Sequence, residues 1–486
     1  MLPIWRALLP LAVFAAIGAA LDRVLALDLG RGGGRWARWA ACGVVATFAA
    51  ALHPLVLAAL VALALVGRVV NGPVVAPARQ PVASGARAPK WWAIAAVLLG
   101  LVVVCRPATL AYWDSFVWLA KARIESDGWG ALRNAALDRS ADVVPSGYPL
   151  FWPLAASWLS MGGRTMEALA AGAAAMTIIA LTLFLEAAYD AFEGSSVQRP
   201  RWAPVTLALI ALTPLVFVHL RSAYADLPVG LLAATCTLRL ARSFEARGFE
   251  ARGFEARGVD GSGPGRGDLA VAAIAAVALA GLKDEGMAHV AALGVAAIAI
   301  KVRLRDRIPL GPGLTVLAAA AIPFNGWRML LISHNVADAD HRLSAPDFQS
   351  AGAIGHTIAM HVCDTRSWGA LWPIAFACAA LVLVRGRVFG AVTRFAALAF
   401  LAEGAVLASA LLFGPARVRA FAFEGTLVNR LLLQLAPPAG VMVMLALADA
   451  AGAWQKVRRS SVPPISLASP HGAPVAALTR SRERMP

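Results

Sequence analysis

A chain of 486 residues that is 59% apolar and only 15% charged, with a mean hydropathy of +0.68, does not read as a water-soluble globule; soluble domains are about a quarter charged. Single soluble cores stop growing near about 250–300 residues, so this much apolar surface implies many separate lipid-crossing segments. The formal charge of +16 lies mostly in short loops between apolar runs, with no compact basic domain. That excludes nucleic acid as the expected partner and fits the excess of Lys and Arg on the cytoplasmic side of membrane proteins.

A crossing needs about 20 mainly apolar residues. In chain order such runs lie near 5–27, 39–67, 91–107, 165–187, 203–220, 225–243, 269–282, 287–300, 313–333, 370–384, 395–413 and 427–450. They predict an all-α, polytopic transmembrane helix bundle of about 12 spans, or 13 if the long run is divided at His53-Pro54. The first run lacks a clean small-residue cleavage site and reads as a retained span. Cys42, Cys105, Cys236, Cys363 and Cys378 are scattered, which argues against a disulfide framework or a cysteine zinc site.

The basic loops set the orientation. Arg79, Arg87 and Lys90 precede the third run, six arginines crowd 239–266, and Lys301, Arg303, Arg305 and Arg307 follow the eighth. Arg385, Arg387 and Arg394 mark another loop, and Lys456, Arg458 and Arg459 follow the last run. Placing all of them in the cytoplasm makes 108–164, 221–224, 283–286, 334–369 and 414–426 external. The apolar stretch 148–161 then cannot be a full crossing, and it is expected as interfacial or re-entrant helix in the first large external loop. The tandem FEARG repeat at 244–258 reads as an expansion in a cytoplasmic loop. Three portions result: an extra transmembrane portion at 1–89, a core at 90–455, and a disordered basic tail at 456–486.

Ionisable groups are costly in lipid, so those gathered at span ends on one side are the functional candidates. Asp114, in AYWDSFVWLAKARI, falls with Trp118, Lys121 and Ala122 on one face of a short helix. It reads either as a proton acceptor or divalent-cation ligand, or as the cap of that helix. Asp226 opens the sixth span in YADLP, which is also good helix-start chemistry. The turn Gly281-Leu282-Lys283-Asp284-Glu285-Gly286 puts three ionisable residues at a lipid boundary, as a phosphate site or a plain polar turn. Arg430 opens the last span, where it grips a phosphate or snorkels to headgroups. Loop 334–369 holds His334, His341, His356 and His361 with four aspartates, but without tight ligand spacing it reads as solvated. A phosphate-binding GxxxxGK[ST] loop, a GxSxG elbow and an HExxH string are all absent from the sequence.

In order, the strings WDSFVWLAKA, GYPLFWPL, SAYADLPVGLL, AGLKDEG and NRLLLQLAPP resemble the GT-C class of membrane glycosyltransferases, from about Lys90 to Gln455. They look like a bacterial branch related to family 39 and aminoarabinose transferases. The resemblance implies a polyprenyl-phosphate-linked sugar donor and an extracytoplasmic acceptor that is a glycan, lipid or protein. It also implies the bacterial cytoplasmic (inner) membrane, with the active face outside. Asp114 and Asp226 would be the catalytic acids, Asp114 also the position for a divalent metal ion, the one cofactor implied. Lys121, Tyr148, Lys283, Glu285 and Arg430 would bind substrate. Ser146-Gly147 stand before Tyr148 where many members carry a His or Asp, and Ser115 follows Asp114 where some carry a second acid. The rival expectations are a transporter or lipid flippase, and an inactive scaffold of envelope assembly.

Overall fold

The computed structural model describes residues 5–29, 35–70, 113–138, 148–193, 213–220, 222–250, 265–304, 310–336 and 344–461. Among them there are helices and turns and no strand. The helices are α1 (Trp5–Leu25), α2 (Arg35–Leu52), α3 (Pro54–Val70), α4 (Trp113–Glu125), α5 (Ala131–Leu137), α6 (Phe151–Leu159), α7 (Met166–Glu193), α8 (Pro214–His219) and α9 (Asp226–Glu250). There follow α10 (Gly265–Leu282), α11 (Asp284–Leu304), α12 (Gly311–Ser333), α13 (Ala351–Val362), α14 (Thr365–Trp368), α15 (Leu371–Val384), α16 (Ala391–Phe413), α17 (Ala416–Phe423) and α18 (Thr426–Ser461). Five stretches are long and apolar enough to cross a membrane: Met166–Ala191, Asp284–Val302, Gly311–Ser333, Ala391–Phe413 and Thr426–Trp454. Pro54–Val66, Gly267–Leu282 and Leu371–Val384 are shorter apolar helices. The expected span 91–107, most of 203–220 and the tail from residue 462 lie outside the described residues.

The run 39–67 is two helices. Pro54 has no N–H to continue α2 and its preset φ suits the first position of α3. The His53 ring Nδ1 accepts the Leu55 amide at 3.2 Å across the break. The stretch 148–161 forms the nine-residue α6, about 14 Å long, which is too short to cross alone. It is buried against α4 and α7, and the Trp152 indole donates to the Ala223 carbonyl at 2.9 Å. The first FEARG repeat continues α9 as helix to Glu250, and the rest of the repeat lies outside the described residues.

α9 lies at the centre, packed on α7, α10, α16 and α18 and buried from Asp226 to Ala241. Two ionic clusters mark the first turn and the middle of α9, near the limits of its buried part, 13 residues and so about 20 Å apart. At one end Asp226 meets Lys283 and Arg430 from the starts of α11 and α18. At the other, Arg239 bonds Asp190 and Asp268, both at 2.6 Å, and lies 3.5 Å from Glu186. Arg242 reaches Asp190 at 3.3 Å and Asp268 at 3.6 Å, and Arg38 on α2 reaches Glu186 at 3.2 Å. Arg239 and Arg242, at the end of the expected run 225–243, are helical residues inside a cluster of three arginines and three carboxylates.

Candidate functional site

The site forms where three helix starts meet. α9 begins at Asp226, α10 stops at Leu282 so that Lys283 is the hinge into α11, and Arg430 lies in the first turn or so of α18. Asp226 Oδ1 accepts from Lys283 Nζ at 2.6 Å and from Gln434 Nε2 at 2.6 Å, and Oδ2 accepts from Arg430 Nε at 3.2 Å. Asp226 and Lys283 are fully buried, whereas the Arg430 side chain is 26% exposed. Asp284 and Glu285 lie in the same surroundings, and of Asp226, Lys283 and Arg430 only Arg430 is partly open.

Spacing explains the geometry. Asp226 and Gly230 share one face of α9, and Arg430 and Gln434 share the opposing face of α18. A Cβ at Gly230 would stand 2.5 Å from the Gln434 carbonyl oxygen and 2.9 Å from Pro437 Cδ, so the missing side chain sets how close the helices come. Pro438 has no N–H to give the Gln434 carbonyl in the ordinary helical pattern, which loosens α18 at the same level.

Aromatic side chains enclose the open side. The Arg430 guanidinium lies 5.5 Å from the centre of the Tyr224 ring, which packs 4.9 Å from His219. His219 Nδ1 is 3.2 Å from Ser222 Oγ. Tyr148 is edge-on to Trp118 at 5.7 Å, and Lys121 Nζ sits 5.3 Å from the Trp118 ring centre. Burial pushes the Tyr148 phenol well above its ordinary range; Glu285 adds to this and Arg430 opposes it. Burial also pulls the Lys121 ammonium down to about 7. Asp284 pairs with Arg328 of α12 at 2.6 Å.

The structure thus brings Asp226, Lys283 and Arg430 into contact, with Tyr148 and Glu285 in their electrostatic surroundings and Lys121 joined to Tyr148 through Trp118. The Asp114 backbone lies in the first turn of α4; its side chain lies outside the described residues. Among the described residues no three His, Cys, Asp or Glu side chains converge as a metal site. In loop 334–369, His334 turns back to Ser333 and the Leu330 carbonyl, His361 packs against Gly425, and His341 lies outside the described residues.

Three residues of the site were not singled out from sequence. Gln434 bonds Asp226 and also meets His289 Nε2 through Oε1 at 3.3 Å, and His289 Nδ1 lies 3.4 Å from Glu403 Oε2. All three are fully buried. Their signal was available, since each is a polar residue inside an apolar run, and Glu403 stands midway along α16. Comparison with protein families, with curated proteins and with solved structures finds no match.

Proposed function

We propose that this chain is a membrane glycosyltransferase of the GT-C type, with about 13 spans and the Asp226 end facing away from the cytoplasm. It would move a sugar from a polyprenyl-phosphate carrier to an extracytoplasmic acceptor. The observation that supports this reading best is the convergence of Asp226, Lys283 and Arg430, residues from three separate motifs, at one end of the bundle. A lipid-linked phosphate arriving from the membrane boundary would meet Arg430, the partly exposed cation, first.

In the reaction an acceptor hydroxyl oxygen bonds to the anomeric carbon while the bond from that carbon to the phosphate oxygen breaks. The polyprenyl phosphate leaves with the electron pair, and its growing charge is where preorganised cations help most. Arg430 would meet that charge. Asp226, already saturated by two cations and an amide, would position Arg430 and Lys283, which leaves the acceptor proton to Asp114 as base. Should a divalent ion bind at Asp114, it would add charge compensation for the same phosphate.

Envelope glycans profiled in a strain lacking the gene, complemented with wild type, Asp114→Asn or Arg430→Ala, test this. One sugar modification lost and restored only by wild type is expected. An unchanged glycan profile in the deletion strain overturns the reading. One observation favours transport as a second reading: the His289–Glu403 pair lies inside the bundle and not at a span end, where transporters keep ionisable groups. Substrate flux in proteoliposomes that disappears in Glu403→Gln would establish that alternative.

A further inference from the structure

Beneath α3, in the half of the bundle remote from Asp226, lies a cavity of about 180 Å³. Its walls include Leu25 of α1, Val45 of α2, Leu60 and Ala64 of α3, Ala273 of α10 and Ala319 of α12. The lining side chains are carbon apart from the Cys42 thiol and the Thr315 hydroxyl, and that hydroxyl donates to the Gly311 carbonyl at 2.9 Å. Water needs two to four polar partners and has too few here, whereas an apolar cavity of about 150 Å³ takes a benzene-sized solute. A helix, about 10 Å across, is too wide for such a space; a single hydrocarbon chain is not. The α3 wall is only half-buried at Leu57, Leu60 and Ala64, so the cavity opens beside that helix. Along α10 the lining runs from Leu269 to Val277, about 12 Å, which is most of one leaflet's hydrocarbon depth of about 15 Å.

Charge at one end of the cavity selects the lipid. Asp268 near the start of α10 belongs to the Arg239 cluster, and a Cβ on Gly267 would stand 2.8 Å from the Asp28 carbonyl oxygen. The turn after α1 and the start of α10 therefore share one level, at which α2 also begins. The α2 lining residues Cys42 and Ala46 fall on one helical face with Trp39 and Arg35. The Arg35 guanidinium lies 5.7 Å from the centre of the Trp39 ring, a pairing suited to a membrane boundary. Arg23 is exposed in the last turn of α1, and Arg68 follows Ala64 by about one turn of α3. The acids at this level outside the Arg239 cluster are Asp22 and Asp28, and Asp22 accepts from the Leu29 amide and the Trp39 indole, both at 3.0 Å. Three arginines against two acids, one of them engaged, favour an anionic headgroup. We propose that the cavity binds one acyl chain of an anionic phospholipid from the leaflet at the Arg239 end, with the lipid phosphate at Arg35. The chain packs beneath α3 and joins that helix to the bundle. The site requires a membrane around the bundle and is independent of sugar transfer.

Protein stripped of lipid in detergent is titrated with phosphatidylglycerol or with phosphatidylcholine of the same chains, and retained lipid is read by native mass spectrometry. One phosphatidylglycerol per chain is expected, held at least about fivefold more tightly than phosphatidylcholine. Ala273→Trp, which fills the cavity, should abolish that retention, and Arg35→Gln should bring the two lipids level. Equal retention of both lipids by wild type, a preference that Arg35→Gln leaves in place, or unchanged retention in Ala273→Trp overturns the proposal. So does a polyprenyl phosphate that displaces the phosphatidylglycerol, since the cavity would then belong to the sugar carrier. Where Ala273→Trp is not recovered, Ala64→Phe fills the cavity from α3 and the same outcomes decide.

Discussion

The two ends of the buried part of α9 solve the same problem differently. At the Arg239 end, three arginines face three carboxylates, Asp268 and Arg239 are buried, and charge balances within the protein. At the Asp226 end, one carboxylate faces two cations, and the arginine is a quarter exposed beneath an aromatic wall. Buried ion pairs add little net stability, yet losing one partner is expensive. The two clusters are about equally open, with Asp190 28% and Arg430 26% exposed. At the first the exposed groups pair with each other, whereas at the second the exposed group is a cation whose Asp226 partner is shared with Lys283.

Removing charge from each end sharpens that contrast. Arg239→Leu leaves Asp190, Asp268 and Glu186 with only Arg242 and Arg38 as partners, and it should cost about 3–5 kcal/mol, read as loss of folded protein in thermal unfolding in detergent. Asp226→Leu leaves Lys283 fully buried without its carboxylate, so a loss of about 3 kcal/mol is expected. The double variant Asp226→Leu/Lys283→Met should return to within about 1–2 kcal/mol of wild type, since a buried pair exchanges well for apolar side chains. On the proposed reading, sugar transfer should nevertheless be lost in it. A double variant that remains as unstable as the single one would make the Asp226 end structural, like its counterpart.

Asp226, Lys283 and Arg430 stood out in the sequence because they sit at breaks between apolar runs, whereas their mutual contacts are seen only in the structure. Parity of the basic loops puts all three on one side. At the other cluster, Arg239 and Arg242 lie within the run 225–243 read as a span, and nothing local reveals that Glu186, Asp190 and Asp268 approach them from two other helices. His53-Pro54 signalled the break between α2 and α3 directly. Gln434 was hidden by its chemistry, since a glutamine four residues after Arg430 acquires meaning only once Gly230 is known to face it. Glu403 and His289 pair across helices far apart in sequence, a distance that periodicity does not report.

Close approach rather than charge is the next difference between the ends. Gly230→Val should push α18 away from α9 at the level of Gln434, because the new Cβ would fall 2.5 Å from a backbone oxygen. A cost of about 1–3 kcal/mol is expected for such overpacking, measured by thermal unfolding. The Arg239 network should survive it, so hydrogen exchange should rise at the start of α18 and not around Asp268. Uniform loosening along α9 would show that the two ends are not separable.

Lys121 gives the smallest effect and ties the first external segment to the Asp226 end. Its ammonium is buried, and its folded value of about 7 lies below the ordinary 10.5 because burial disfavours the charge. Between these two values the unfolded chain binds more protons than the folded one, so stability rises with pH across that window. The stabilising contribution is complete above the ordinary value and is lost as pH falls through about 7. The slope cannot exceed one proton, about 1.4 kcal/mol per pH unit. Lys121→Met should flatten that slope and raise stability at and below neutral pH, measured as denaturation midpoints across the pH range. The Arg239 end, where every arginine stays charged, should contribute no slope there. A Lys121→Met protein with the wild-type slope would mean that the ammonium is solvated in the membrane-bound protein, and that α4 does not close over Tyr148.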